Sequence, residues 1–178
     1  MDEFHRELAV KRLGMSDTVA AQVDRYRRLA RRGRRVEAEE VAALFRLVGR
    51  RNDAGLVFAD AGRRAGRRAV GSIGVPAVST VRRLPAFVRN GIGFALARRA
   101  MRTLGANLQR EAGLPSATIP DPPSAAVTAG GSGCGFYGSA IAEILRALTD
   151  FDGAMFHVRC RSRGDEVCQW RAATTRGT

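Results

Sequence analysis

The sequence has few cysteines and aromatic residues, almost no lysine and no long hydrophobic run. Three cysteines are an odd number, and they are too few for a small secreted domain held together by disulfides. No stretch contains the about 20 uncharged apolar residues of a membrane span. Residues 1–5 are acidic and lack the basic-then-apolar order of a signal peptide. These absences predict a cytoplasmic protein.

The charge is strongly positive, at +13 over 178 residues. Lys11 is the only lysine among 30 basic residues, and a GC-rich genome produces such arginine usage without selection for function. The remaining positive field favours an acidic ligand or partner. A basic nucleic-acid-binding protein is therefore one alternative function. It is disfavoured because the arginines are dispersed, no helix-turn-helix pattern is evident and aromatic residues for base stacking are scarce.

The length suits a single domain, which we divide into an arm over residues 1–15, a helical half over 16–113 and a C-terminal region over 116–173. Ser16 is a good N-cap, and apolar residues at helical spacing then predict a helix that ends at Gly33. A second helix is predicted over 36–48.

Small residues recur at every fourth position between residues 53 and 71, with Gly62 and Gly66 among them. This spacing indicates two helix backbones that approach each other closely. Residues 72–78, with Gly74 and Pro76, are interpreted as a loop. A long helix is predicted to start near Pro85 and to continue through Leu108 before stopping at 113–115. Its three glycines, Gly91, Gly93 and Gly105, leave a break or bend in this helix as an alternative.

The C-terminal region adds strands to the helices, and this order of helices first, then a helix and strands, predicts an α+β fold. Residues 125–128 are predicted as a short strand, and 136–149 as a helix with one apolar face. Residues 155–161 and 167–172, joined by a tight turn at 163–165, are predicted to form an antiparallel hairpin. The Gly-rich run over 130–135 lacks the Gly-Lys-Ser/Thr of a phosphate-binding loop, so it does not indicate nucleotide binding.

The cysteines, together with one histidine, predict a metal site. A hairpin turn brings Cys160 and Cys168 together, Cys134 stands just before the last helix, and His157 lies three residues before Cys160. Three thiols and one imidazole are sufficient for a closed tetrahedral zinc site. Because residues 157 and 160 of an ideal strand point to opposite faces, the strand must end or bulge between them. The alternatives are a group of small buried residues or a Cys160–Cys168 disulfide, which a cytoplasmic setting disfavours.

The same residues carry a resemblance to a known family. The pattern Cys134-Gly135-Phe136-Tyr137-Gly138, an apolar helix and then Cys160-x₃-Gly-Asp-x₂-Cys168-x-Trp resembles the 4-vinyl reductase domain over residues 116–173. That family includes a protein linked to bacteriochlorophyll synthesis and the effector-sensing domains of aromatic-responsive regulators. Its fold is similar to the subunits of the eukaryotic transport-particle tether, so the resemblance implies a helical N-terminal half packed on a small antiparallel sheet with a C-terminal β-hairpin.

The resemblance implies a structural zinc ion, because Cys134, Cys160 and Cys168 fall on three cysteine ligand positions of phenol-sensing relatives. His157 falls on the position of a glutamate ligand, where imidazole is also a suitable zinc ligand. The histidine and tryptophan that fix phenol upstream of the first cysteine in those relatives have no counterpart here. A larger or more apolar ligand is therefore expected.

The resemblance also implies a homodimer through the N-terminal helices and a bacterial carrier or sensor rather than an enzyme, since no nicotinamide or flavin motif is present. The expected ligand is a small hydrophobic molecule which, given the positive charge, is acidic or tetrapyrrole-like. A protein partner is expected because the chain has no output domain of its own. The alternative is a reductase, or a reductase accessory protein, acting on a tetrapyrrole vinyl group. The ligand-binding candidates are apolar residues of the long helix and the start of the last helix: Phe87, Ile92, Phe94, Leu96, Met101, Phe136 and Tyr137.

Overall fold

The computed structural model describes residues 17–34, 36–126 and 128–173. The chain separates into two compact units, Met1–Val41 and Ala42–Thr178. Taken together, the helices and the antiparallel sheet make the fold α+β, as the sequence predicts.

The described part of the first unit is organised around helix α1, Asp17–Arg31. The carboxylate of Glu40 accepts hydrogen bonds from Gln22 at 2.8 Å and Tyr26 at 2.9 Å, and it forms an ion pair with Arg25. Helix α1 ends at Arg31, and Gly33, with a φ of +62°, follows it as the predicted C-terminal capping glycine. The predicted arm over 1–15 and the N-cap Ser16 lie outside the described residues.

Five further helices follow along the described chain. They are α2 (Ala38–Gly49), α3 (Ala54–Gly71), α4 (Val75–Arg83), α5 (Ala86–Arg102) and α6 (Gly135–Leu148). None of the helices in the ranges that the structure describes combines the length and the apolar character needed to cross a membrane.

The helices α3 and α5 approach α6 through glycines. A Cβ placed on Gly62 would lie 2.1 Å from the carbonyl oxygen of Phe136, and one on Gly66 would lie 2.7 Å from that of Ala140. A Cβ on Gly93 of α5 would lie 1.8 Å from the carbonyl oxygen of Leu148. Side chains at these positions would push the helices apart, so the close approach predicted from the small-residue spacing is confirmed for α3 and α6.

The sheet has four antiparallel strands in the order β1-β2-β4-β3. The strands are β1 (Asn107–Glu111), β2 (Leu114–Ile119), β3 (Met155–Arg159) and β4 (Cys168–Ala172). The pairing of β3 with β4 confirms the predicted C-terminal hairpin. The turn between β1 and β2 consists of Ala112 and Gly113 with φ values of +51° and +82°, as a tight two-residue hairpin turn requires.

One face of the sheet packs against the buried side of α6. Leu108 of β1, Ala117 of β2 and Trp170 of β4 belong to the same buried cluster as Ile141 and Leu145 of α6. These five residues are at most 1% exposed. The apolar face predicted for the last helix is therefore the side that carries the sheet, and it fixes the position of both hairpins.

The prediction that the long helix continues through Leu108 is wrong beyond Arg102. Helix α5 starts after Pro85, as predicted, but it ends at Arg102. Gly105 adopts a φ of +70° and the amide of Ala106 donates to the carbonyl of Met101 at 3.0 Å, which closes the helix as a Schellman-type cap. Leu108 continues the helical spacing in the sequence, but it is a buried residue of strand β1.

Two shorter predictions are also wrong. The loop expected over 72–78 gives way to helix α4, which starts at Val75, because Pro76 lies in its first turn, where a missing amide proton costs no hydrogen bond. The strand expected over 125–128 is not found, since Ala125 and Ala126 form a turn and Thr128 a bend, while residue 127 is not described.

Candidate metal centre

Three chain segments bring the four predicted metal ligands together. Cys134 is the last residue of the 3-10 turn Ala129–Cys134, immediately before α6. His157 lies on β3, Cys160 directly follows that strand, and Cys168 is the first residue of β4. The ligand atoms of these four residues all lie within 4.8 Å of one another. The cluster could therefore bind a metal ion.

A bulge in β3 makes this grouping feasible. The register of β3 against β4 runs from His157 opposite Trp170 to Arg159 opposite Gln169, so β3 has one extra residue, Val158. An inserted residue reverses the alternation of side chains along a strand. The sequence required a bulge or a strand end between His157 and Cys160, and the structure has both, since β3 also ends at Arg159.

The separations between the sulfur atoms suit a shared metal ion. The Sγ atom of Cys160 lies 4.0 Å from that of Cys134 and 4.0 Å from that of Cys168. A tetrahedral ion with bonds of about 2.3 Å to sulfur places two sulfurs about 3.8 Å apart. A disulfide would need about 2.05 Å. All three cysteines are free and buried, so the predicted alternative of a Cys160–Cys168 disulfide does not describe this structure.

The buried surroundings act on each thiol differently. Burial raises the pKa of the Cys134 thiol to about 12 and also raises the pKa of Cys168. Burial acts in the same direction on Cys160 and is the largest single cause, but hydrogen bonds from Ser162, together with those from the Cys134 and Cys168 thiols, lower the pKa of the Cys160 thiol overall. Three thiolates this close together would repel one another in a poorly solvated site, and a divalent cation supplies the opposite charge that relieves the repulsion.

The imidazole of His157 has the neutral protonation state and the free nitrogen that a metal ligand needs. Burial, followed by the nearby charge of Arg163, lowers the pKa of His157 and favours the neutral ring. Its Nε2 atom is buried and has no hydrogen-bond partner among the described residues. The ring stacks on Trp170, with 4.7 Å between centroids. A buried polar atom without a partner is costly, and coordination of a metal would satisfy it.

Neighbouring groups hold the sulfur atoms in place. The backbone amide of Arg161 lies 3.4 Å from Cys168 Sγ, and the hydroxyl of Ser124 lies 3.4 Å from Cys134 Sγ. The amide of Cys160 donates to the carboxylate of Asp165 at 2.7 Å, and this hydrogen bond closes the turn between Cys160 and Cys168. Such contacts orient the ligands of structural metal sites and tune their affinity.

Gly131 has a role at this site that the sequence analysis did not identify. A Cβ on Gly131 would lie 2.8 Å from Cys160 Sγ and 3.1 Å from the hydroxyl oxygen of Ser162. Its φ of +75° is also a conformation that other residues rarely adopt. The Gly-rich run therefore leaves room for the ligand sulfur. The Gly-rich run in the sequence was the only signal for this role. Composition alone does not show which side chain a glycine approaches in the folded chain.

The predicted ligand-binding residues whose side chains are described lie in different parts of the second unit. Phe136 and Tyr137 belong to an aromatic cluster with Phe45, with ring centroids 5.7 Å and 6.4 Å from that of Phe45. Met101 is fully buried in the core, whereas Ile92 is 45% exposed.

Two further candidates, Phe94 and Leu96, lie apart from the aromatic cluster. The guanidinium of Arg110 covers the ring of Phe94 at 4.4 Å from its centroid. Leu96 is half-buried against the core, and the side chain of Phe87 lies outside the part of the structure that is described. A pocket made by these seven residues together stays a prediction.

Two cavities of the second unit bear on the question of a ligand. The larger, of about 760 Å³, is an open cleft at the C-terminal end of α5, and we call it the α5 cleft. Its lining residues are Ala95, Arg98, Arg102, Gly105, Ala106, Asn107, Leu108 and Pro120. The smaller, of about 310 Å³, lies beside His157 and Trp170. Of the six predicted ligand-binding residues whose side chains are described, none lines either cavity.

Comparison with protein-family models and with curated proteins found no match. The resemblance to the 4-vinyl reductase domain therefore stays a prediction from the motif, and the geometry of the metal centre and the α5 cleft carries the functional argument.

Proposed function

We propose that this chain is a small-molecule-binding protein, a carrier or a sensor, in which a structural zinc ion holds the C-terminal hairpin to helix α6. The observation that carries the proposal is the meeting of Cys134, His157, Cys160 and Cys168 within 4.8 Å. The set joins the start of α6 to both strands of the hairpin, so a shared metal would cross-link segments that are distant in sequence.

The donor set favours zinc over other divalent ions. Three sulfurs and one imidazole nitrogen are soft or intermediate ligands, which magnesium and calcium avoid and which structural zinc sites use. Four protein ligands complete a tetrahedral shell and leave no position for a water molecule. The ion would therefore stabilise the fold, and we assign it no role in catalysis.

The binding part of the proposal rests on the α5 cleft. Its volume of about 760 Å³ lies within the range of about 300–1,000 Å³ that is usual for small-molecule sites. A hydrophobic ligand, which the family resemblance leads us to expect to be tetrapyrrole-like, would occupy this cleft. The proposal retains a homodimer formed through the N-terminal helices, which sedimentation of the purified protein would test.

The metal is tested by analysis of protein purified without chelator. We expect one equivalent of zinc per chain, and we expect Cys168→Ser to lose it and to be less stable by several kcal/mol. The matched control is Trp170→Phe, which disturbs the same buried hairpin and keeps all four ligands, so it should lower stability and retain zinc. Wild-type protein with less than about a tenth of an equivalent of any transition metal would refute the zinc site.

The binding function is tested by titrating the zinc-loaded protein with porphyrins, fatty acids and neutral aromatic compounds. At least one class should bind saturably and with a stoichiometry of one ligand per chain. Absence of saturable binding across the panel would overturn the carrier or sensor function while leaving the metal centre intact. Binding of duplex DNA with a steep salt dependence would favour the nucleic-acid alternative instead.

A further inference from the structure

Two arginines on one face of α5 line the α5 cleft. Arg98 and Arg102 are four positions apart on this helix, so their side chains project from the same side. Both are exposed, and both line the α5 cleft of about 760 Å³. The cleft therefore has a pair of guanidinium groups in its wall.

Within the described residues, no carboxylate balances these two charges. Neither Arg98 nor Arg102 forms an ion pair there, and no described aspartate or glutamate lines the cleft. Some arginines elsewhere are paired across elements, as Arg67 is with Glu143 and Arg171 with Glu111. The positive charge at the cleft is thus uncompensated within the described chain.

The position of the arginines at the end of a helix does not by itself indicate a ligand. Basic side chains in a last turn interact favourably with the helix dipole, and Arg99 occupies the same stretch of α5 without lining the cleft. What distinguishes Arg98 and Arg102 is the cavity beside them. An anion bound there would meet two guanidinium groups at once, and charge-assisted hydrogen bonds of this kind are among the stronger polar contacts.

The rest of the cleft wall is apolar and made of small side chains. Ala95 and Pro120 contribute exposed hydrocarbon surface, and the buried residues Ala106 and Leu108 close the wall behind it. Asn107 is the one neutral polar side chain among the described lining residues. Small side chains leave space for the body of a ligand. The wall therefore combines an apolar surface with a cationic rim, which matches a molecule that has an apolar body and an anionic head.

We propose that the α5 cleft binds an amphipathic organic anion whose carboxylate, sulfonate or phosphate group pairs with Arg98 and Arg102. This inference rests on the proposed binding function and specifies its site and its ligand class. The apolar body of the ligand lies against Ala95 and Pro120, the exposed apolar residues of the wall. The head group confers selectivity, because a neutral analogue would leave the two guanidinium groups without the charge they attract.

Two fluorescent probes with the same ring system provide the test. Anilinonaphthalene sulfonate has an anionic head, and phenyl-naphthylamine has the same rings without it. The zinc-loaded full chain is titrated with each probe, as wild type and as Arg98→Gln, Arg102→Gln and Arg99→Gln. The last variant removes one charge from the same helix outside the cleft, so it controls for net charge. Circular dichroism and zinc content confirm that each variant is folded.

We expect wild type to bind the sulfonate about tenfold more tightly than the neutral amine. Arg98→Gln and Arg102→Gln should each remove most of that difference, and Arg99→Gln should leave it nearly unchanged. Equal affinity for the two probes, or equal losses in all three variants, would overturn the anion site while leaving a hydrophobic binding function. Saturable binding of neither probe would overturn the anion site as well, and failure of the wider panel would then remove the binding function itself.

Discussion

Substitution of Gly131 by alanine should weaken metal binding although all four ligands remain. The new Cβ would lie 2.8 Å from Cys160 Sγ, against an ordinary contact distance of about 3.5–4.0 Å. The sulfur must therefore move by about 0.7 Å, unless the turn that carries Gly131 moves instead. Metal–ligand distances hold to within about 0.2 Å, so either movement disturbs the tetrahedral arrangement.

The size of the effect has two parts. The φ of +75° at Gly131 is a left-handed conformation that costs alanine about 1–2 kcal/mol, which lowers the free energy of unfolding whether or not a metal is bound. The displaced sulfur adds a loss of zinc affinity of about 10- to 100-fold, the range found when groups that orient metal ligands are changed. The first part is common to any strained glycine, and only the second is specific to the metal centre.

Gly113→Ala separates the two parts. Gly113 has a φ of +82° in the β1–β2 turn, and a Cβ there would meet nothing within 4 Å. Zinc affinity is measured by competition with a chelating dye, and stability by urea unfolding with and without zinc. Both variants should unfold more easily, but only Gly131→Ala should bind zinc more weakly. Wild-type zinc affinity in Gly131→Ala, or an equal loss in Gly113→Ala, would refute this reasoning.

Two further predictions concern the scaffold. Gly93→Ala should destabilise the protein by about 1–3 kcal/mol, because its Cβ would lie 1.8 Å from the carbonyl oxygen of Leu148, whereas Gly91→Ala on the same helix meets nothing and should stabilise it by about 1 kcal/mol. Urea unfolding decides between this outcome and equal effects, which would contradict the close approach of α5 to α6. Hydrogen bonds from Arg171 and then Gln109 lower the pKa of Glu111 below its ordinary value near 4.5. The stability that this carboxylate contributes is therefore present above that value and is lost as pH falls through the lowered pKa, so Glu111→Gln should be less stable than wild type at neutral pH and should approach it in acid. A stability difference that stays constant with pH would show that the carboxylate is not held by these contacts.

Local patterns in the sequence were sufficient for several elements. Apolar residues at helical spacing placed α6, and the residues around the 163–165 turn placed the β3–β4 hairpin, because each element buries one face that its own residues supply. The continuation of α5 was misjudged because Leu108 has the spacing of a helical residue. The cap at Gly105 and the pairing of β1 with β2 decide that region, and the pairing depends on a partner strand that spacing does not reveal.

The sequence by itself determined which side chains are available to bind a metal: three cysteines and one histidine, near the last helix and its hairpin. The tertiary structure decided that they meet, because the bulge at Val158 turns His157 and Cys160 to the same side and Gly131 leaves space for the sulfur. The tertiary structure also decided where a cleft forms. The six apolar candidates with described side chains lie in the core, at the surface and in an aromatic cluster, whereas the α5 cleft lies beside Arg98 and Arg102. Composition and spacing report which side chains a helix has, but a cavity is the space that packed elements leave between them, and it exists only after helix α5 and strand β1 have been placed together.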